Sequence, residues 1–396
     1  MLQRQTGPAS DPLFTPSGRP RARALGIPFD GTPGAHNAIV DVPGVTVGYT
    51  TLIEGAGPLR VGAGPVRTGV TAVLPRGADG VGVSCAAGWH ALNGNGEMTG
   101  TAWVEESGSL STPILLTNTH AVGPCHRGVI DWVVGSPLGA PGQWLLPVVA
   151  ETWDGYLNDI NGSHVQPSHA VRAIEAAAGG PLEEGSVGGG TGMNCYGFKG
   201  GSGTASRRVV YGPDQHTVGV FVQANFGSRR ELTISGRPVG RLLSTENPME
   251  DTDWYAPAGA GSVVALVATD APLLPGQCKA MARRVPLGLA RTGATGSHFS
   301  GDLFLAFSTA NSGALDSSFS RPEPGDDRYA TLRFVPWGRM NRYFEATVQA
   351  VEEAVLNALT ANESMVGRDG HRSPALPHDE LVRTLETARP RTAENQ

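Results

Sequence analysis

The sequence predicts an α/β protein built of packed layers, and three observations carry that expectation. Short apolar runs rich in β-branched residues, broken by Gly and Pro, alternate irregularly with segments of helical periodicity. The 396 residues, 40% hydrophobic and 17% charged, suffice for a substantial core and fit a compact folded chain. The 55 glycines follow no collagen-type period, so they imply many tight turns and close backbone contacts. Length allows two or three domains or one large one. Patterning alone leaves a doubly wound sheet and a sandwich both open.

Residues 1–23 are polar, Pro- and Arg-rich, and read as a disordered leader. Strands follow in "AIVDVPGVTVGYTTLI", "TGVTAVLPRG" and "GVGVSC", and again in "LSTPILLTNTHAVG" as it enters a loop. A helix is expected from Ser168 to Ala178, punctuated by Gly179 and Gly180. "RRVVYG" and "HTVGVFVQANFG" are strands. Leu243 to Gly261 has no periodicity and reads as an exposed linker, where chains are readily cut. "SVVALVATD" and "DLFLAFSTAN" read as buried strands by their continuous apolar character. "PGQCKAMARRVPLGLA" has helical spacing, with Pro286 starting, kinking or ending a turn. The clearest helix is residues 341–361, with Phe344, Val348, Val351 and Val355 on one face. The last residues form a polar tail.

Composition narrows the function. Thirty Lys and Arg against 36 Asp and Glu give a net charge of -6, without the basic footprint of a nucleic-acid binder or a polybasic membrane handle. No segment approaches the ~20 apolar residues of a membrane span, and no signal-peptide core is present, so the expected compartment is cytoplasmic. Cys85, Cys125, Cys195 and Cys278 form no CxxC pair and are expected to be buried thiols. The histidines form no HExxH, so no metal site is expected. "GGGTGMNCYGFKGGSGTASRR" lacks GxxxxGK[ST] and departs from GxGxxG, which argues against nucleotide binding. No GxSxG elbow is present.

The informative point is the junction Gly261–Ser262, where a Gly/Ala linker meets a Ser that opens an apolar strand. A cut there would give Ser262 both a nucleophilic hydroxyl and a free α-amine of reference pKa ~7.7–8.0, neutral often enough to serve as base. Gly261 tolerates the backbone geometry from which that hydroxyl attacks the preceding carbonyl. A Gly-Ser before a strand is also common in ordinary turns.

Six blocks, spanning roughly Arg21 to Leu381, settle which reading to pursue. They are "RARALGIPFDGTPGAHNAIVDVPGVTVGYTTLIEG", "PVVAETWDGYLNDINGSHV", "GSVGGGTGMNCYGFKGGSGTASRRV", "GSVVALVATDAPLLPGQ", "SGDLFLAFSTAN" and "GHRSPALPHDEL". In content and order the chain resembles the DmpA-type L-aminopeptidase/D-amino-acid esterase-amidases and the related β-peptidyl aminopeptidases, self-processing N-terminal-nucleophile serine hydrolases.

The resemblance implies an αββα sandwich in one domain, with 24–261 as the larger-subunit part, 262–385 as the smaller and 386–396 as the tail. It implies that Ser262 becomes the nucleophile, that Ser300 lies near its amine with Asp302 beside it, and that Asn225 and Tyr156 donate to the oxyanion. Some relatives carry Glu where Asp302 stands. Glu151 and Asp159 are candidates to bind the ammonium of a small peptide, amide or ester. No cofactor is expected, since the nucleophile brings its own base, and a homo-oligomer of two-chain protomers is implied. The alternatives are an acyltransferase of the ornithine acetyltransferase type, which self-cleaves before Thr, and an unprocessed relative that only binds.

Overall fold

Successive strand residues point to opposite faces of a sheet, so a strand apolar at every position must be covered on both sides. A computed structural model describes residues 11–137, 144–249, 261–316 and 329–386. Its strands are β1 (Thr46–Glu54), β2 (Val66–Leu74), β3 (Cys85–Ala91), β4 (Ser109–Leu110), β5 (Ile114–Asn118), β6 (Val148–Thr152), β7 (Asn194–Cys195), β8 (Phe198–Lys199), β9 (Gly201–Tyr211), β10 (Asp214–Asn225), β11 (Gly261–Thr269), β12 (Ser300–Ser308), β13 (Met365–Val366) and β14 (Arg372–Ser373). The helices are α1 (Thr101–Ser107), α2 (Val122–Gly135), α3 (Pro167–Glu175), α4 (Pro275–Ala282), α5 (Val285–Arg291), α6 (Asn341–Thr360) and α7 (His378–Glu386).

Two sheets form the centre, one of order β1-β2-β5-β6 and one of order β4-β3-β12-β11-β10-β9. Along β11, Val263, Ala265 and Val267 face a core shared with α4, α5 and α6. Val264, Leu266 and Ala268 face the other way, against Ile114, Leu116, Val148 and Ala150 of the first sheet. That sheet's outer face, with Val70, Ala72, Leu115 and Val149, is covered by Val129, Val133, Ala170 and Ile174 of α2 and α3. The result is the αββα sandwich expected from the resemblance. Each fully buried Val or Leu contributes roughly 1.5–3 kcal/mol relative to exposure, so the doubly covered strands anchor the molecule. The two parallel pairs, β5–β6 and β11–β12, are joined through α2 and through α4 and α5, as parallel strands require a crossover.

Several expectations are met closely. The long helix is α6, and the segment around Pro286 divides into α4 and α5, with the proline in the first turn of α5. All four cysteines are buried free thiols, and burial pushes the Cys125 thiol up to about 12. The expected helix at 168–178 is α3, which stops at Glu175.

Others differ. Gly80–Ser84 lies outside any strand, and only Cys85 of "GVGVSC" belongs to one. No element was expected where α1 forms, and α2 begins within the loop expected after the strand in "LSTPILLTNTHAVG". Within the leader reading, residues 1–10 lie outside the described residues, but residues 11–23 are ordered. Arg21 is 4% exposed and meets Glu184 at 2.6 Å, and Arg23 meets Glu353 at 2.6 Å. These guanidinium groups are held because each satisfies a buried carboxylate. Within the linker reading, 250–260 lie outside the described residues, and Gly261 already belongs to β11.

Candidate active site

Strand direction assembles the site. Because β11 and β12 are parallel while β10 and β3 run against them, the starts of the first two meet the ends of the others. Gly261 stands opposite Ser300, Ser262 opposite Gly301 on one side and opposite Asn225 on the other. Ser262, Ser300, Asp302 and Asn225 are thus brought to one edge of the sheet, all at most 5% exposed.

Gly261 and Ser262 are consecutive residues of β11, so the structure represents the uncut chain. A Cβ at position 261 would lie 2.1 Å from the carbonyl oxygen of Asn225, so only glycine fits. The Ser262 hydroxyl accepts the backbone N–H of Trp153 at 3.3 Å, from the end of β6 in the opposite sheet. A backbone donor is therefore already aimed at the oxygen that would react.

The Ser300 hydroxyl donates to Asp302 Oδ1 at 2.5 Å. The other carboxylate oxygen accepts Asn93 Nδ2 at 2.8 Å, and Asn93 Oδ1 accepts the Asp302 N–H at 2.7 Å. Burial pushes the Asp302 carboxyl above its ordinary range, and the Ser300 and Asn93 donors pull it back. Asn225 Oδ1 accepts the Asn194 N–H at 2.9 Å. That donor fixes which end of the amide is oxygen, leaving the NH₂ without a partner among the described residues.

Glu151, on β6 two residues before Trp153, is 3% exposed. One of its oxygens accepts the Glu97 N–H at 2.9 Å, and the other accepts the Thr119 hydroxyl. Burial raises its carboxyl, with these donors opposing. Just beyond, Asp154 is wholly buried and its carboxyl is pushed up to about 7. Burial brings the Lys199 ammonium down to about 7, opposed by the charge of Asp154.

Two of the expected residues have partners outside this set. The Tyr156 phenol donates to the Arg372 carbonyl at 3.4 Å, and its ring stacks on His371 with centroids 4.7 Å apart. Asp159 is held by His164 at 2.8 Å and by the Gly62 N–H at 2.8 Å, so its carboxylate braces a loop. Conversely, sequence reasoning passed over Trp153 and Asn93. A main-chain donor carries no residue signature, and "NGNG" after a strand reads as a turn.

Among the described residues no cluster of His, Cys, Asp and Glu could hold a metal ion, and no helix is long and apolar enough to cross a membrane. The profile of peptidase family S58 matches residues 37–373. The β-peptidyl aminopeptidase BapA of Sphingosinicella microcystinivorans is 48% identical over 379 residues, covering 93% of each chain. Among solved structures, the L-aminopeptidase D-Ala-esterase/amidase of Ochrobactrum anthropi, described as a variant of the Ntn hydrolase fold, superposes with a TM-score of 0.84 at 42% identity, covering 93% of this chain and 99% of that one. A β-aminopeptidase from Burkholderia sp. gives 0.82 at 44% identity, with 93% and 100% covered. A matching profile over most of the length and relatives alike from end to end place this chain in peptidase family S58.

Proposed function

We propose that this enzyme cuts itself between Gly261 and Ser262 and then uses Ser262 as an N-terminal nucleophile to release amino-terminal residues from small peptides, amides or esters. That it is a hydrolytic aminopeptidase or amidase follows from its family. The observation that carries the assignment of Ser262 is its place at the start of β11, with a backbone N–H already on its hydroxyl and the Ser300–Asp302 pair on the neighbouring strand.

In the uncut chain, Ser262 Oγ attacks the Gly261 carbonyl, the Gly261–Ser262 C–N bond breaks to release the Ser262 amine and leave an ester, and water hydrolyses that ester to restore the hydroxyl. In turnover Oγ attacks the substrate carbonyl, the amine takes the hydroxyl proton and passes it to the leaving amine, and water releases the acyl group. Ser300, held by Asp302, hydrogen-bonds near that amine. The Asn225 NH₂ is left to meet the developing oxyanion. Tyr156 is the second donor in this reading, its phenol turning from the Arg372 carbonyl toward the substrate. Glu151 receives the substrate ammonium. It is buried, hydrogen-bonded on both oxygens and forms no ion pair with Lys or Arg among the described residues, so a substrate cation completes it. Asp159, the other ammonium candidate, is engaged by His164 and Gly62, which leaves Glu151 the better placed. The names of the relatives suggest L-α, small D-α or β-amino residues as the class released. Buried reduced thiols fit a cytoplasmic setting, and a homo-oligomer of two-chain protomers belongs to the same reading.

Intact mass and a denaturing gel test it. Wild type should give fragments beginning at residues 1 and 262, and Ser262→Ala a single inactive chain. An uncut wild type that still hydrolyses an amino-acid p-nitroanilide would require another nucleophile.

A further inference from the structure

Strand β3 ends at Ala91, paired with Leu303. The ladder continues one step, with the Leu92 N–H on the Asp302 carbonyl at 3.0 Å, before the chain peels away. At the next residue a side chain takes over from the backbone. Asn93 accepts the Asp302 N–H at 2.7 Å and donates to Asp302 Oδ2 at 2.8 Å, while its Nδ2 also reaches the Ser297 carbonyl at 3.2 Å. Held at its main chain and at one oxygen, the Asp302 carboxylate can present only Oδ1 to Ser300.

The same segment then reaches the other side of the site. The Asn95 N–H meets the Ser300 carbonyl at 3.3 Å, and its side chain donates to the Phe299 carbonyl at 2.9 Å. A Cβ at Gly96 would lie 2.9 Å from the Cα of Gly301, the residue opposite Ser262, and 3.4 Å from Glu151 Oε1. The Glu97 N–H completes the path on Glu151 Oε1 at 2.9 Å.

We propose that Asn93 is a positioning residue for the Ser300–Asp302 pair, and that the segment 93–97 is a brace setting the distance between that pair and the Glu151 carboxylate. The inference rests on the Ser262 reading given above. Its physical content is a division of labour along one short segment. The Asn93 end orients the groups that move the proton. The Gly96 end sets the groups that hold the substrate amine. Misplacement by about 1 Å at either end costs up to roughly 10²-fold.

The test uses the full-length chain with Asn93→Ala, Asn93→Asp and Gly96→Ala, reading the rate of self-cutting, kcat and KM on an amino-acid p-nitroanilide, and the thermal midpoint. Asn93→Ala should slow self-cutting and lower kcat about 10- to 100-fold, with KM within about twofold. Asn93→Asp keeps the acceptor for the Asp302 N–H but replaces the donor with a negative oxygen, so it should be worse than alanine despite its closer shape. A merely structural asparagine would give the opposite order. Gly96→Ala should instead raise KM about tenfold and leave most of kcat. A wild-type kcat in Asn93→Ala, or aspartate milder than alanine, overturns the proposal. An Asp302→Asn control separates the two levels. If it loses kcat while Asn93→Ala does not, the brace alone fails. If it too keeps kcat, the reading of the site fails.

Discussion

Asn225 illustrates how a single residue acquires a role. By sequence it is the end of a strand before Phe226 and Gly227, indistinguishable from a turn former. Folding places it opposite Ser262 and commits its carbonyl oxygen to the Asn194 N–H. Only the NH₂ remains to donate. Asn225→Ala should therefore lower kcat about 10²- to 10³-fold in steady-state assays, with KM changed far less. Asn225→Asp should be no better, since it offers an acceptor where a donor is needed. Ser262 could be put forward as the nucleophile because a change in local character coincides there with the blocks that carry the family resemblance. Asn93 was not legible, because its partner Asp302 lies 209 residues away and nothing local singles it out.

At the scale of elements, the periodic ones could be read and the compensated ones could not. Strand β11 and helix α6 have patterns that are recognisable in isolation. Helix α2 holds Gly128 in its interior, which argues against a helix locally, whereas Pro124 sits in the first turn, where proline is tolerated. Tertiary contact overrides that local preference. A Cβ at 128 would lie 2.6 Å from that of Ala170, so the glycine permits the close approach of α2 to α3. The N-terminal segment behaves similarly. Polar composition suggested a leader, yet Arg21 also donates to the carbonyls of Pro12, His36, Asn37 and Thr204 besides pairing with Glu184. Arg21→Met leaves that carboxylate buried and unpaired, and urea denaturation should show a loss of about 3–5 kcal/mol. A loss below about 1 kcal/mol would mean that the segment is held by something else.

For the whole molecule, the position of the proposed cut matters as much as its chemistry. The part from Ser262 onward supplies β11 and β12, inner strands of the six-stranded sheet, together with α4 to α7. Their hydrogen bonds to β10 and β3 tie that part to the part before the cut. The two fragments of a processed wild type should therefore co-elute on size exclusion at the mass of an intact assembly and separate only in denaturant. Separation under native conditions would contradict this topology. By itself the sequence determined the layered α/β character, the buried apolar strands and the family, because each is written in local composition, periodicity or contiguous motif, and through the family it put Ser262 forward as the proposed nucleophile. Only the tertiary structure decided that Trp153 donates to Ser262, that Asn93 holds Asp302, and that Asp159 braces a loop while Glu151 lies near the nucleophile. The reason is physical: hydrogen bonds across a site depend on which strand ends coincide, and that depends on the pairing of strands far apart in the chain.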